Sequence, residues 1–316
     1  MPTSLLTALL STVRHLSRPF AVLVLCVLGL ASLAPAEAAS GRISVESNNM
    51  RRTATLVEYS RLKRGPRATV IVLHGSQATG GRIRRTLGLD DFAIGSGRVM
   101  VYPDALDGHW NRLRPTDTGP DDPAFIIALI NKLVADGIAD RRRIFIAGFS
   151  TGGALALRLA CDHADIFAGV GGIATQLPLE TLVACKPSRP MPMILVNGTA
   201  DPLLPYNGGK ANLQDDKGDF ASVEATLSAF AMANDCAATP RVNAQLPDRD
   251  PNDGSRVHQE RFNNCRAPVE LIRIEGGGHT IPGRKTVSNR GAAVGAQNND
   301  VDAGRMIFEF FRHVVR

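Results

Sequence analysis

The chain has 316 residues, is 44% hydrophobic but only 5% aromatic, and carries a formal net charge of +6 at pH 7. Its arginines fall in short scattered clusters, at Arg61–Arg67, Arg82–Arg85 and Arg141–Arg143, with no accompanying nucleic-acid motif. They read as a solvated basic surface, which argues against a nucleic-acid partner.

The first predicted element is not part of a fold. Arg14 and Arg18 precede an apolar run from Phe20 to Leu33, and Ala34-Pro35-Ala36-Glu37-Ala38-Ala39 follows. A basic start, a short apolar stretch and an A-x-A site describe a secretory signal peptide over residues 1–38. About fourteen apolar residues are too few for a comfortable membrane span, so no stable membrane anchor is expected after its removal. What remains, residues 39–316, suits one α/β domain, secreted or periplasmic.

That remainder alternates strand and helix signals. Strands are predicted at Thr53–Tyr59, Ala68–Leu73 and Val99–Tyr102, then a helix opens at Asp122-Pro123 and runs to about Ala135. A strand ending near Ala147 is followed by a helical stretch from Ala154. Short strands are predicted at Gly169–Ile173 and Met193–Val196, a helix at Phe220–Asn234, a strand at Val269–Ile274 and a closing helix at Asp302–Val315. Strands separated by helices imply a mostly parallel central sheet with helices on both faces. Ala237–Ser255 and Arg284–Asp300, rich in Gly, Asn, Asp or Pro, read as surface loops.

Four cysteines lie beyond the signal segment: Cys161, Cys185, Cys236 and Cys265. An even number in an exported chain suggests two disulfides, with three pairings open. Pairing sequence neighbours would close loops of roughly 25 and 30 residues, each worth about 3 kcal/mol in the loop-entropy picture. No C-x-x-C pair exists, and no metal site is expected.

Chemistry concentrates at strand ends. Gly148-Phe149-Ser150-Thr151-Gly152 sits between a strand and a helix, the context in which G-x-S-x-G holds a serine out of the backbone as a nucleophile. Ser150 should then adopt a positive φ, and the flanking glycines should permit close approach of strand and helix. Asp201 follows the 193–196 strand, and His279 follows the 269–274 strand after three glycines. The order Ser150, Asp201, His279 is that of an α/β-hydrolase triad, with Asp104 and Asp107 as rivals for the acid. An oxyanion hole needs two backbone N–H groups. Thr151 supplies one, and the loop after Leu73 supplies the other from Ser76, with Gln77 as the rival. His74 reads as a structural histidine beneath the site. Trp110 is a candidate for the substrate cleft or, equally, a core aromatic.

Taken together, Leu73-His74-Gly75, Tyr102-Pro103-Asp104 with Trp110-Asn111, Asp121-Asp122, the Gly148–Gly153 turn, Gly198–Pro202 with Pro205-Tyr206, and Gly277–Thr280 with Pro282-Gly283 resemble the secreted polyhydroxybutyrate depolymerase and feruloyl esterase group of α/β-hydrolases. The resemblance runs from about residue 42 to the C-terminus and includes Asp300–Ala303. It implies the α/β-hydrolase fold, no cofactor, and a triad on Ser150, Asp201 and His279. It also implies a disulfide similar to Cys236–Cys265. One departure is Ile281, where the group usually carries Trp, so an aromatic wall of the cleft is missing. The expected function is a serine carboxylesterase acting on short-chain or hydroxyalkanoate esters or polyesters. The alternatives are a feruloyl or acetyl esterase on plant polysaccharide, a serine peptidase, or a non-catalytic polymer-binding protein.

Overall fold

Runs of aliphatic and β-branched residues without a polar face are stable only in strands covered on both sides. In the computed structural model, which describes residues 38–59, 65–94, 96–111, 113–214, 216–237, 242–284 and 293–314, those runs occupy the middle of a ten-stranded sheet. The expected signal segment lies outside the described residues except for Ala38.

The chain begins with a hairpin of β1 (Ala38–Ser47) and β2 (Met50–Tyr59). Asn48 and Asn49 close it with φ of 50° and 60°, the positive values a two-residue hairpin turn needs. Next come β3 (Arg67–Leu73), α1 (Gly80–Leu87), α2 (Leu89–Ala93), β4 (Val99–Pro103) and α3 (Asp122–Ala135). Then β5 (Ala139–Phe149), α4 (Thr151–Asp162), β6 (Gly169–Ile173), α5 (Leu179–Ala184) and β7 (Met193–Gly198) follow. A two-residue ribbon, β8 (Gly209–Lys210) with β9 (Asp219–Phe220), precedes α6 (Val223–Ala233). The described chain closes with β10 (Val242–Gln245), β11 (Arg256–Arg261), β12 (Val269–Glu275) and α7 (Ala303–His313).

Sheet order is β1-β2-β4-β3-β5-β6-β7-β12-β11-β10. The six strands from β4 to β12 run parallel, and an antiparallel pair flanks them at each edge. Strand alternation divides the core in two. Ile71, Leu73, Ile144, Ile146, Met193 and Leu195 face α3, α4 and α6. Val70, Val72, Phe145, Ala147, Ile194 and Val196 face α1, α2 and α7. This is the α/β-hydrolase arrangement, with helices on both faces.

Several boundaries differ from the sequence reading, each for a physical reason. The cap of α3 is Asp121, whose carboxylate accepts the Ala124 N–H, one residue earlier than the Asp-Pro signal suggests. Asp122 is instead fully buried against Arg52, at 2.6 Å. The segment 237–255 is not wholly loop, because β10 pairs with β11 at the sheet edge. Both strands are polar and partly exposed, so neither carries a hydrophobic signature. The four cysteines form Cys161–Cys185 and Cys236–Cys265, the sequence-neighbour pairing. Among the described residues no helix is long and apolar enough to cross a membrane.

Candidate active site

The turn between β5 and α4 forces Ser150 into φ 55°, ψ −126°, a conformation that costs a non-glycine residue roughly 1–3 kcal/mol. The surroundings hold it there. The Ser150 N–H donates to the Ile173 carbonyl at 3.0 Å, and its own carbonyl accepts from Thr175 Oγ1 at 2.9 Å and the Ala154 N–H at 3.0 Å. Gly148 and Gly152 are required by contact. A Cβ on Gly152 would overlap the His74 carbonyl, and one on Gly148 would overlap the Gly152 backbone. The end of β3 therefore lies directly against the start of α4.

His279 reaches the serine from the turn after β12. Its Nε2 lies 2.9 Å from Ser150 Oγ, and its Nδ1 lies 2.7 Å from Asp201 Oδ2. All three residues are buried. The other Asp201 oxygen, Oδ1, accepts the N–H groups of Leu203 and Leu204 at 2.8 and 2.9 Å, which fixes the carboxylate plane. The two loops are tied to each other: Ala200 N–H donates to the Gly277 carbonyl, and Gly276 N–H to Thr199 Oγ1. From the far side, His279 N–H donates to the Val294 carbonyl and Gly278 N–H to that of Ala296. The 284–300 stretch, read as a surface loop, thus braces the histidine turn through its described part, with Asn298 and Asp300 buried.

The rival acids are engaged elsewhere. Asp104 accepts the Gly80 N–H at 2.9 Å and pairs with Arg42 at 2.8 Å. Asp107 occupies a positive-φ turn position within a short 3-10 segment.

The two expected oxyanion donors, the N–H groups of Thr151 and Ser76, lie on adjoining segments. Thr151 is the first residue of α4, so its N–H has no intrahelical acceptor, and Ser76 N–H has none among the described residues. The rival Gln77 donates its N–H to the Gly108 carbonyl at 2.9 Å, which leaves Ser76 as the open donor of that loop. Ser76 Oγ and Thr151 Oγ1 are 3.3 Å apart, so the two segments adjoin.

His74 is fully buried. Its Nε2 accepts the Ala105 N–H at 3.1 Å, which leaves Nδ1 to carry the proton and donate to the Gly75 carbonyl at 2.7 Å. Burial lowers its pKa below the ordinary imidazole value, against smaller opposing effects of that bond, Asp104 and Asp122. It is a structural group. Trp110 is not in the cleft. Its indole packs on the His74 ring at 4.8 Å between centroids, and Nε1 donates to the His74 carbonyl at 2.7 Å. A buried indole N–H needs an acceptor, and the carbonyl beneath the oxyanion loop supplies it.

Ile281 does line the cavity, which has a volume of about 780 Å³ and opens onto Ser150 and His279. Phe149, Leu203, Leu213 and Val294 make the rest of its apolar lining, and Phe149 also packs at 5.1 Å on the His279 ring. Sequence reasoning missed one wall altogether: Arg82, Ile83, Arg85 and Thr86 of α1. Their spacing is helical, but the Arg-rich stretch reads only as basic surface until α1 is placed. Among the described residues no group of His, Cys, Asp and Glu side chains is arranged to hold a metal.

Comparison with known proteins gives the family of the chain. Residues 121–217 match the protein family described as Phospholipase/Carboxylesterase. Over 258 residues the chain is 31% identical to the protein named "Putative esterase NocK" of Nocardia uniformis subsp. tsuyamanensis, covering 77% of this chain and 74% of that one. It is 30% identical over 196 residues to Feruloyl esterase B of Piromyces equi, spanning 59% of this chain but only 34% of that longer protein. Among solved structures, the acetyl xylan esterase of Aspergillus awamori superposes with a TM-score of 0.59 at 14% identity, covering 86% of this chain and 99% of that one, a likeness of fold. The chain belongs to the carboxylic ester hydrolases of the α/β-hydrolase superfamily.

Proposed function

We propose that the protein is a secreted serine carboxylesterase in which Ser150, His279 and Asp201 form the catalytic triad. The observation that carries this reading is the continuous run of short contacts from Ser150 Oγ through the imidazole to a carboxylate pinned by two backbone N–H groups. Neutral His279 takes the hydroxyl proton at Nε2 as Ser150 Oγ bonds to the ester carbonyl carbon. Charge developing on the carbonyl oxygen is received by the N–H groups of Ser76 and Thr151. The imidazolium then protonates the departing alcohol as the C–O bond breaks. A water molecule, activated by the same imidazole, hydrolyses the acyl-enzyme and returns the proton to Ser150. Asp201 holds the tautomer with Nδ1 protonated and stabilises the imidazolium. No cofactor takes part.

The cavity favours short-chain or hydroxyalkanoate esters: it is apolar near the serine, and Ile281 narrows it less than an aromatic side chain would. A second reading is hydrolysis of feruloyl or acetyl esters on plant polysaccharide; the names of similar proteins, feruloyl esterases B and C, support its feruloyl part. The two disulfides fit an oxidising compartment and support export of the chain. The test is Ser150→Ala assayed on p-nitrophenyl acetate. Turnover should fall by about 10³-fold or more, and near-normal turnover would refute the nucleophile assignment. A parallel screen of butyryl, feruloyl and 3-hydroxybutyrate oligomer esters separates the two substrate readings.

A further inference from the structure

The cavity wall contributed by α1 is basic, and its charge is unbalanced. Arg82 and Arg85 stand three residues apart on one face of the helix, while the buried Ile83 anchors that helix to the core. Both arginines are solvent-exposed, and among the described residues neither guanidinium has an ion-pair or hydrogen-bond partner. Their neighbours are different. Arg84 is held by Asp90 at 2.5 Å, Arg42 by Asp104 at 2.8 Å and Arg284 by Asp302 at 2.8 Å. The described residues lining the cavity include no carboxylate. The acid behind it, Asp201, is fully committed to His279, Leu203 and Leu204. Beside apolar side chains and the polar Ser76, Gln77, Thr86 and Thr280, the described lining therefore presents two like charges that repel each other and would be relieved by an anion.

We infer that Arg82 and Arg85 form a carboxylate subsite, so that the preferred substrates are esters bearing a free carboxylate a few bonds from the scissile group. Such esters include monoesters of dicarboxylic acids and acid-terminated oligomers of hydroxy acids. The inference rests on the serine esterase reading above. It deepens that reading by naming the charge of the substrate. Arg85 also borders a second, more open depression, where Arg42, Arg84 and Arg284 stand beside Asp90 and Asp91, so the unpaired charge is confined to the side facing the serine.

The test uses two matched pairs. One places the carboxylate on the acyl side: p-nitrophenyl hydrogen glutarate against p-nitrophenyl methyl glutarate. The other places it on the alcohol side: the 3-hydroxybutyrate dimer acid against its methyl ester. The readout is the ratio of kcat/KM, anionic over neutral, for wild type and for Arg82→Gln/Arg85→Gln. In at least one pair the wild-type ratio should exceed one, and the difference should lie mainly in KM. Each exposed ion pair is worth up to about fivefold, so the double substitution should lower that ratio several-fold, up to about 25-fold. Raising salt from about 0.02 to about 0.5 M should shrink the wild-type ratio as well. A wild-type ratio at or below one in both pairs, or a ratio unmoved by the double substitution, overturns the subsite. Failure to cleave even the neutral esters would instead overturn the serine esterase reading beneath it.

Discussion

Asp201→Asn tests the proposed mechanism more sharply than removal of the serine, because the backbone dictates how the new amide must sit. In the native protein Oδ1 accepts two N–H groups, from Leu203 at 2.8 Å and Leu204 at 2.9 Å, while Oδ2 faces His279 Nδ1 at 2.7 Å. An asparagine that turned its NH₂ toward the two N–H groups would set donor against donor twice in a buried place. Its carbonyl oxygen must therefore take the Oδ1 position, and its NH₂ must face Nδ1. A donor there requires Nδ1 to be an acceptor, so the proton moves to Nε2. Nε2 is the atom 2.9 Å from Ser150 Oγ, and once protonated it cannot take the serine's proton. The geometry survives while the tautomer is wrong, and the developing imidazolium also loses its counter-charge. By triad logic the loss in kcat is about 10³- to 10⁴-fold, or roughly 4–5.5 kcal/mol of transition-state stabilisation. Steady-state kinetics on p-nitrophenyl acetate, with circular dichroism to confirm the fold, gives the answer. A loss smaller than about tenfold in a folded variant would show that Asp201 does not set the tautomer.

Three further predictions concern the support beneath the site. Asp122→Asn leaves the Arg52 guanidinium buried without its counter-ion, so the urea midpoint should fall by the equivalent of about 3–5 kcal/mol; a change under about 1 kcal/mol would mean the pair is dispensable. Trp110→Phe strands the buried His74 carbonyl, at a cost of about 1–3 kcal/mol in stability. It should also lower kcat on p-nitrophenyl acetate more than it raises KM, and an unchanged kcat would separate the indole from oxyanion placement. Burial depresses the His74 pKa, so the unfolded chain binds its proton more readily than the folded one. The stability this gives is complete above the ordinary imidazole value near ~6.5 and is lost as pH falls below it, by at most about 1.4 kcal/mol per pH unit. Urea unfolding at about pH 7 and pH 5.5 should therefore show a shallower pH slope for His74→Gln than for wild type, and equal slopes would refute the link.

The proposed nucleophile, base and acid, Ser150, His279 and Asp201, stood out in the sequence because each lies immediately beyond an apolar strand run. Parallel strands buried on both faces leave such runs, and their carboxyl ends meet at one rim. Ser150 also carries its own local signature in the flanking glycines. The edges of the sheet were illegible for the opposite reason. In β10 Asn243 and Gln245 are exposed and in β11 His258 and Gln259 are half-buried, so the apolar positions are too few and too short a run to stand out. Cavity-wall residues such as Arg82 and Arg85 could not be told from solvated charge until α1 was placed beside the serine. The resemblance of motifs gave the cysteine pair 236–265, whereas spacing alone left three pairings open.

The hardest part to foresee is the scaffold of the proposed oxyanion loop, because it is built from contacts distant in sequence. Asp122 holds Arg52, 70 residues away, and its second oxygen accepts the Asn111 N–H at 2.6 Å. Asn111 follows Trp110, whose indole meets the His74 carbonyl 36 residues back. The same turn sends the Gly108 carbonyl to the Gln77 N–H. Gln77 itself sits at a φ of 56°, a strained value that this bond helps to hold. With Gln77 committed and His74 clamped from both sides, the intervening Ser76 N–H is left unpaired beside the start of α4. A buried ion pair far from the chemistry thus bears on which backbone donor of the loop stays open. Stability and catalysis should consequently fail together along this chain of contacts, whereas Asp201→Asn should separate them.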